Sequence, residues 1–515
     1  MKILFVYPMV SETFWSFKHA LRVVRRKAAF PPLGALTVAA MLPAYWEKRL
    51  VDLNVRELRD ADLLWADYVF ISAMIAQKNS ARQVVDRCRG LGARTVGGGP
   101  LFRVYPDDFA DVDHLVFGEA ETIIGELVRD METGRPKKFY RASAFPALDL
   151  IPVPLWDLIN LSDYASMSIQ YSRGCPFNCE FCDIIVMNGR APRLKRNEQV
   201  LAELEALYSR GWRGSVFIVD DNFIGNSEKV KSLLKAIILW QKERPRRFNF
   251  LTEASVNLAE DPELMDLMVQ AGFNKVFLGL ETPVEEGLRE CGKAQNLRRG
   301  LSESVVTIQQ HGLAVMGGFI IGFDSDPPDV FQRQVNFIQK NGIVTAMIGL
   351  LTAIPGTRLY SRLESEGRML FKASGDNTDV SGSLNFVTRM DRAKIIEGYR
   401  WVMNSVYSPE MYYNRILAFL RTYKPKAETY LQRADLLAFV RSLWYLGIAD
   451  HKSRNYYWKL LKKAFSGYND AFGDIVTYAI YGYHFRKLFW SPKFPLKLEE
   501  WLSGVKAPHT DLLSS

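Results

Sequence analysis

The stretch Cys175-Pro176-Phe177-Asn178-Cys179-Glu180-Phe181-Cys182 decides how the rest of this 515-residue chain is read. Three thiols in eight residues can converge on one metal centre from a single loop. A structural zinc site wants four ligands, and neither Cys88, Cys291 nor a nearby histidine offers an obvious fourth. An iron–sulfur cluster of four irons held by Cys175, Cys179 and Cys182 leaves one iron open, which is chemically useful. The chain has five cysteines in all, an odd number, and three of them lie in this loop. That argues against a disulfide framework and for a reducing, cytoplasmic setting.

The loop follows a short apolar run, Ser168–Tyr171, the first of six. The others are Ser215–Val219, Phe248–Leu251, Lys275–Leu280, Val315–Ile321 and Ala346–Leu351, with helical patterns such as Asn197–Ser209 and Asp261–Ala271 between them. Six βα units predict a partial (β/α)6 barrel over residues 166–390, open on one side. A proline-bearing linker, 141–165, precedes it. Residues 1–140 alternate in the same way, with strands at Ile3–Tyr7, Arg49–Leu53, Tyr68–Ser72 and Arg94–Val96 and helices near Gly34–Leu42 and Asn79–Gly90. Runs of this length bounded by Gly and Pro predict a doubly wound parallel sheet, with ligands beyond the carboxyl ends of its strands. Residues 391–515 read as helices only. The fold class is α/β with an all-α C-terminal extension.

The three-cysteine spacing, with Phe181 before the last cysteine, resembles the radical S-adenosylmethionine (SAM) superfamily. The resemblance implies a 4Fe-4S cluster whose open iron chelates SAM, and reductive cleavage of SAM to a 5′-deoxyadenosyl radical that takes hydrogen from an unactivated carbon. Matching positions follow successive strands: Asp220, Asp221 and Asn222 after the second, Glu253 and Ser255 after the third, Glu281 and Thr282 after the fourth. Gly317-Gly318-Phe319-Ile320-Ile321-Gly322 matches the fifth-strand motif that lies against adenine. The SAM-binding residues the resemblance implies are therefore Phe181, Asp220, Asp221, Glu253, Ser255, Glu281, Gly318 and Ile320. Taken singly, each carboxylate reads as readily as a helix cap or surface pair.

Combined with this barrel, residues 1–140 look like the Rossmann-like cobalamin-binding domain of cobalamin-dependent radical SAM enzymes. Leu33, Gly34, Ser72, Ala73, Gly97, Gly98, Gly99, Gly118 and Glu119 carry the match. The Asp-x-His-x-x-Gly motif that supplies a lower axial histidine is missing, and His19 stands outside any such pattern. The resemblance thus implies base-off cobalamin without a histidine ligand. The aromatic helical segment, including Tyr412-Tyr413-Asn414-Arg415 and Gly482-Tyr483-His484-Phe485, looks like that of a subgroup containing hopanoid C-2 methylases.

The net charge is +9, and residues 391–515 hold 19 Lys/Arg against 11 Asp/Glu and 25 of the 64 aromatic residues. The excess therefore belongs to the extension, while the two α/β units are nearly neutral. This suits an anionic or amphiphilic partner at that end and gives no reason to expect nucleic acid. No apolar run reaches the ~18 residues of a membrane-spanning helix; the expected location is cytoplasmic, with peripheral contact at the inner membrane face through 391–515. Together these features predict a methyltransferase acting on an unactivated carbon of a hydrophobic or lipid-like substrate, a hopanoid being the best single guess, with a flavodoxin- or ferredoxin-like reductant. A cobalamin-using cyclase or rearrangement enzyme without net methyl transfer is the alternative, and a non-enzymatic cobalamin sensor a weaker one. Tyr171, Arg173 and Cys291 stay without an assigned role, and no general acid or base is named.

Overall fold

A computed structural model describes residues 1–490 apart from 377, 380–381 and 427–432. The first sheet has six parallel strands: β1 (Lys2–Tyr7), β2 (Glu47–Asp52), β3 (Tyr68–Ser72), β4 (Thr95–Gly98), β5 (His114–Phe117) and β6 (Phe139–Arg141). Their spatial order is β2-β1-β3-β4-β5-β6. The order reverses between β1 and β3, so the ligand crevice of such a sheet lies at the carboxyl ends of those two strands and their neighbours. Both faces are covered, one core gathering Leu4, Val69 and Leu115, the other Ile3, Phe70 and Val96.

A second parallel sheet carries β7 (Ser166–Ile169), then, after a two-residue hairpin of β8 (Ser172–Arg173) and β9 (Arg193–Leu194), the strands β10 (Ser215–Ile218), β11 (Asn249–Ala254), β12 (Phe273–Glu281), β13 (Ala314–Ile321) and β14 (Thr345–Leu350). These six follow chain order across the sheet, and β7 does not pair with β14. It is the expected open barrel of six βα units.

Each free edge has a cover, as exposed ladder groups demand. Beside β7 the backbone of residues 27–29 runs along 163–166, Ala165 and Ser166 donating to the carbonyls of Ala28 and Ala29 at 3.0 Å. Beside β14 the helix Arg392–Val406 sends Tyr399 Oη to the Ile348 carbonyl at 3.2 Å, and Tyr407 Oη bonds that of Ala346. The stretch 141–165 is packed rather than slack: Leu148, Ile151, Trp156 and Tyr164 are buried, and Tyr164 Oη donates to buried Asp52 at 3.0 Å.

Burial along the barrel strands separates two faces. On β11 Phe250, Thr252 and Ala254 are buried while Asn249, Leu251 and Glu253 stay partly exposed; on β12 Lys275, Phe277 and Gly279 do the same. The outer face packs on helices and the inner face lines a lumen, the alternation a pleated strand imposes. Described residues beyond 391 are helical, as expected, and the helix Phe472–Phe489 returns to the amino-terminal loop, where Phe14 meets Phe485 and Phe489.

Candidate active site

The cysteine loop leaves the carboxyl end of β7. Gly174, just before Cys175, has φ +98°, and a Cβ there would meet three carbonyl oxygens, of Gly189, Ala191 and Asn188, at 2.9–3.0 Å, so only glycine fits. Asp220, 1 % exposed at the end of β10, accepts the Tyr171 amide at 2.7 Å, the Ser172 amide at 2.8 Å and the Ser172 hydroxyl at 2.6 Å. Asp221 accepts the Gly174 amide and the Asn188 side chain, both at 2.9 Å. The two carboxylates thus clamp the chain entering the loop. Asp220 has both oxygens engaged there, so its geometry is that of a positioning residue rather than one reaching for SAM. Burial pushes its carboxyl up to about 7, against the opposing pull of those three donors.

The far end of the loop is braced separately. Glu180 donates its amide to the Cys291 carbonyl at 2.8 Å and accepts both arms of Arg362. Buried Lys293 pairs with buried Glu281 beside Cys179. Burial alone would lower the lysine, but Glu281 and the Cys179 sulfur outweigh it and hold the ammonium charged. Cys291 is buried, its thiol pushed up to about 12 by burial and by Glu281, and its carbonyl serves the loop.

Among the described residues no three Cys, His, Asp or Glu side chains converge tightly enough for a single metal ion. A multi-iron cluster would hold Cys175, Cys179 and Cys182 each on a separate iron. Burial pushes all three thiols up, Cys182 to about 12, so ligation to iron is what would keep them as thiolates.

The expected SAM residues fall in three places. Ser255 reaches Asn222 at 3.3 Å, and Asn222 reaches the Cys175 sulfur at 3.9 Å. Phe181 packs on Phe323, while Gly318 and Ile320 keep partial exposure on the inner face of β13. A Cβ on Gly318 would meet the Phe277 ring at 2.8 Å, so the glycine admits that ring. Glu281 is committed to Lys293. Glu253 makes no hydrogen bond or ion pair among the described residues, and it faces the lumen; burial, with Asp221 and Asp220 nearby, pushes its carboxyl up to about 8. Of the eight, it is the carboxylate with the most to gain from a cationic or hydroxylated ligand.

The sequence alone did not reveal what lines the lumen below this level. Trp15 and Phe30, from the amino-terminal unit, enter it and stack with barrel residues: Trp15 lies 6.2 Å from Phe217 and 5.3 Å from Phe277, and Phe30 lies 5.2 Å from Phe217. They form a wall of flat apolar groups. No local pattern marks residues 15 and 30 for this, since they lie in the connection between β1 and β2 of the other sheet.

On the first sheet the expected cobalamin residues divide. Leu33, Gly34, Ser72 and Gly98 keep exposed surface at the crevice, and a Cβ on Gly34 would meet nothing within 4 Å. Ala73 and Gly97 lie inside the packing; a Cβ on Gly97 would strike Phe102 and Leu115. Gly99, with φ +97°, lets its backbone pass Ala73. Met9 and Met74, 52 % and 45 % exposed just past β1 and β3, add an apolar floor. Gly118 lines a cavity of about 520 Å³ with Arg103, Arg141 and Phe145, bounded on the barrel side by Val186 and Met187. Glu119, at its rim, is bound to Arg193 at 2.5 Å and to Arg173, which also holds Glu121 at 2.8 Å. Arg173 and Glu119 therefore join the two sheets beside the cysteine loop.

The chain matches the Radical SAM superfamily over residues 169–338, a B12 binding domain over 20–128, and a domain of unknown function, DUF4070, over 357–491. It is 42 % identical to an "uncharacterized methyltransferase" from Synechocystis sp., covering 87 % of this chain and 84 % of that one. It is 36 % identical to the hopanoid C-2 methylase of Rhodopseudomonas palustris, over 79 % and 77 %. In fold it is similar to the radical SAM methyltransferase TsrM from Kitasatospora setae, solved with cobalamin and a [4Fe-4S] cluster bound: TM-score 0.59 at 16 % identity, over 90 % and 99 % of the two chains.

Proposed function

Because the chain belongs to the cobalamin-dependent radical SAM methyltransferases, we propose that it methylates an unactivated carbon of a flat, hydrophobic, lipid-like substrate, a hopanoid being the leading case. The observation that carries this reading is the lumen wall of Trp15, Phe30, Phe217 and Phe277 beneath the cysteine loop. Large rings on a partly exposed inner face suit a ligand with extended apolar surface and few polar handles.

When bound, the cluster, SAM and cobalamin supply hydrogen abstraction and the methyl group; the chain positions and shields. Cys175, Cys179 and Cys182 would hold the cluster. Asp220, Asp221 and Arg362 fix the loop; Glu253 and Ser255 would face SAM, and Gly318 and Ile320 would offer it a flat strip. Leu33, Gly34, Ser72, Gly98, Met9 and Met74 would floor the corrin. Among the described residues no histidine stands at the carboxyl ends of the first sheet: His114 begins β5, and His19 lies against His484. As part of this proposal cobalamin would be held base-off, without a histidine ligand. A flavodoxin- or ferredoxin-like protein would deliver the electron.

The test is lipid extraction from the host with and without the gene, followed by anaerobic assay of the reconstituted protein. A product heavier than a hydrophobic substrate by one methylene supports the reading. Deoxyadenosine formation with a product of unchanged carbon count would replace it with a rearrangement.

A further inference from the structure

Twenty large apolar side chains are exposed among the described residues, and seven fall between residues 436 and 465. Leu436, Val440, Trp444 and Ile448 stand four apart along the helix Arg433–Trp444 and its continuation Tyr445–Ala449, and each is at least half exposed. Four-residue spacing puts them in one row. Trp458 and Phe465 on the next helix, Arg454–Gly467, are exposed as well; Trp458 lies against Gly447, within the same turn as Ile448. The helix carrying the row is docked by its other side, where Ala438 and Ser442 are buried and Arg441 donates to the Val23 carbonyl at 2.9 Å. A patch of this kind marks an interaction surface, whereas scattered exposed residues do not.

Charge identifies the occupant. Lys459, Lys462 and Lys463 are exposed on the helix bearing Trp458 and Phe465 and form no ion pair among the described residues. A second copy of the chain would meet this surface through a self-complementary interface and set like charges against each other. An anionic lipid surface takes up both features at once: tryptophans at the headgroup level, apolar side chains below, ammonium groups among the phosphates.

We propose that the helices Arg433–Trp444 and Arg454–Gly467 form a docking surface for an anionic bilayer. The surface rests on the helix Lys18–Val24, whose lead-in carries Trp15 of the lumen. A substrate dissolved in the bilayer would then meet the enzyme one helix away from the lumen wall. Docking does not depend on which substrate the lumen accepts, so its test and the lipid assay fail independently.

The experiment is sedimentation of the full-length protein with vesicles of phosphatidylcholine containing phosphatidylglycerol, and of phosphatidylcholine alone. The expected result is binding to the anionic vesicles, weakened by salt, and lowered about tenfold or more by W444S/I448S. The triple variant K459E/K462E/K463E should remove the salt-sensitive part. Both variants must keep the wild-type melting temperature. Equal binding by wild type and W444S/I448S, or no binding by wild type at low salt, overturns the proposal. So does a wild-type dimer, seen by light scattering, that W444S/I448S converts to monomer without any vesicle binding; that outcome assigns the patch to a second copy.

Discussion

Glu180, the residue between Cys179 and Phe181, receives both arms of the Arg362 guanidinium, at 2.7 and 3.1 Å. The cysteine loop is thus tied by a forked ion pair to the helix Arg358–Ser365, beyond the last barrel strand. Arg362→Ala should cost about 1–2 kcal/mol of loop stability, since the pair is part-exposed and partly screened. Iron content after reconstitution should fall while the melting temperature changes little. Arg362→Lys, which keeps charge but not the fork, should restore only part of it. Full iron retention by the alanine variant would show that the brace is dispensable.

Cys179→Ala should abolish deoxyadenosine formation and lower bound iron. Continued formation of deoxyadenosine by this variant would contradict the cluster assignment.

Glu119→Ala should destabilise the protein by about 3 kcal/mol, because Arg193 is left in a nearly enclosed site without its carboxylate. The readouts are melting temperature and proteolysis within 141–165. A fall in cobalamin affinity with no change in either would make Glu119 a cobalamin contact instead.

Glu253 predicts a pH dependence of SAM binding. Its carboxyl, raised to about 8, is largely protonated at neutral pH. Pairing with a ligand ammonium requires the charged form, so a proton must leave when such a group binds. Affinity should then rise with pH up to about 8 and fall as much as tenfold per unit below it. Calorimetry in buffers of different ionisation enthalpy should register the released proton. Glu253→Gln should flatten the profile; an unchanged slope would place the titration elsewhere.

His484 predicts acid lability. Its ring accepts the His19 amide at Nδ1 and meets the Thr13 carbonyl through Nε2, both at 3.3 Å, a pattern that the neutral ring satisfies. Burial and then neighbouring His19 push it down to about 4. A depressed folded value means stability is full above about 6.5 and is lost as pH falls toward 4, by up to about 3 kcal/mol. Melting temperatures of wild type and His484→Gln should converge over that window. Parallel curves would sink the assignment.

Most of the architecture is legible in strand-length apolar runs. All six barrel strands are found within a few residues, as are four strands of the first sheet. The other two, β5 and β6, are not, and β6 at three residues is too short for any periodicity to emerge. The cluster cysteines are legible because all three sit in one loop. What Asp220 does is not: a carboxylate after a strand looks the same in sequence whether it faces a ligand or caps two amides. Trp15 and Phe30 reach the lumen only through tertiary packing. The row at Leu436, Val440 and Trp444 has the spacing of a core stripe, yet it points outward.

The contact between His19 and His484 spans 465 residues of chain. A ribosome adding about 5–20 residues per second needs roughly 20–90 s between the two. Both sheets are complete once Leu350 has emerged, and for roughly 7–27 s after that the helix Phe472–Phe489, which seats the loop carrying Trp15, is still unfinished. Nascent chains therefore pass through a period in which Trp15 lacks the seat that Phe485 and Phe489 give its neighbour Phe14, so one wall of the lumen is set last.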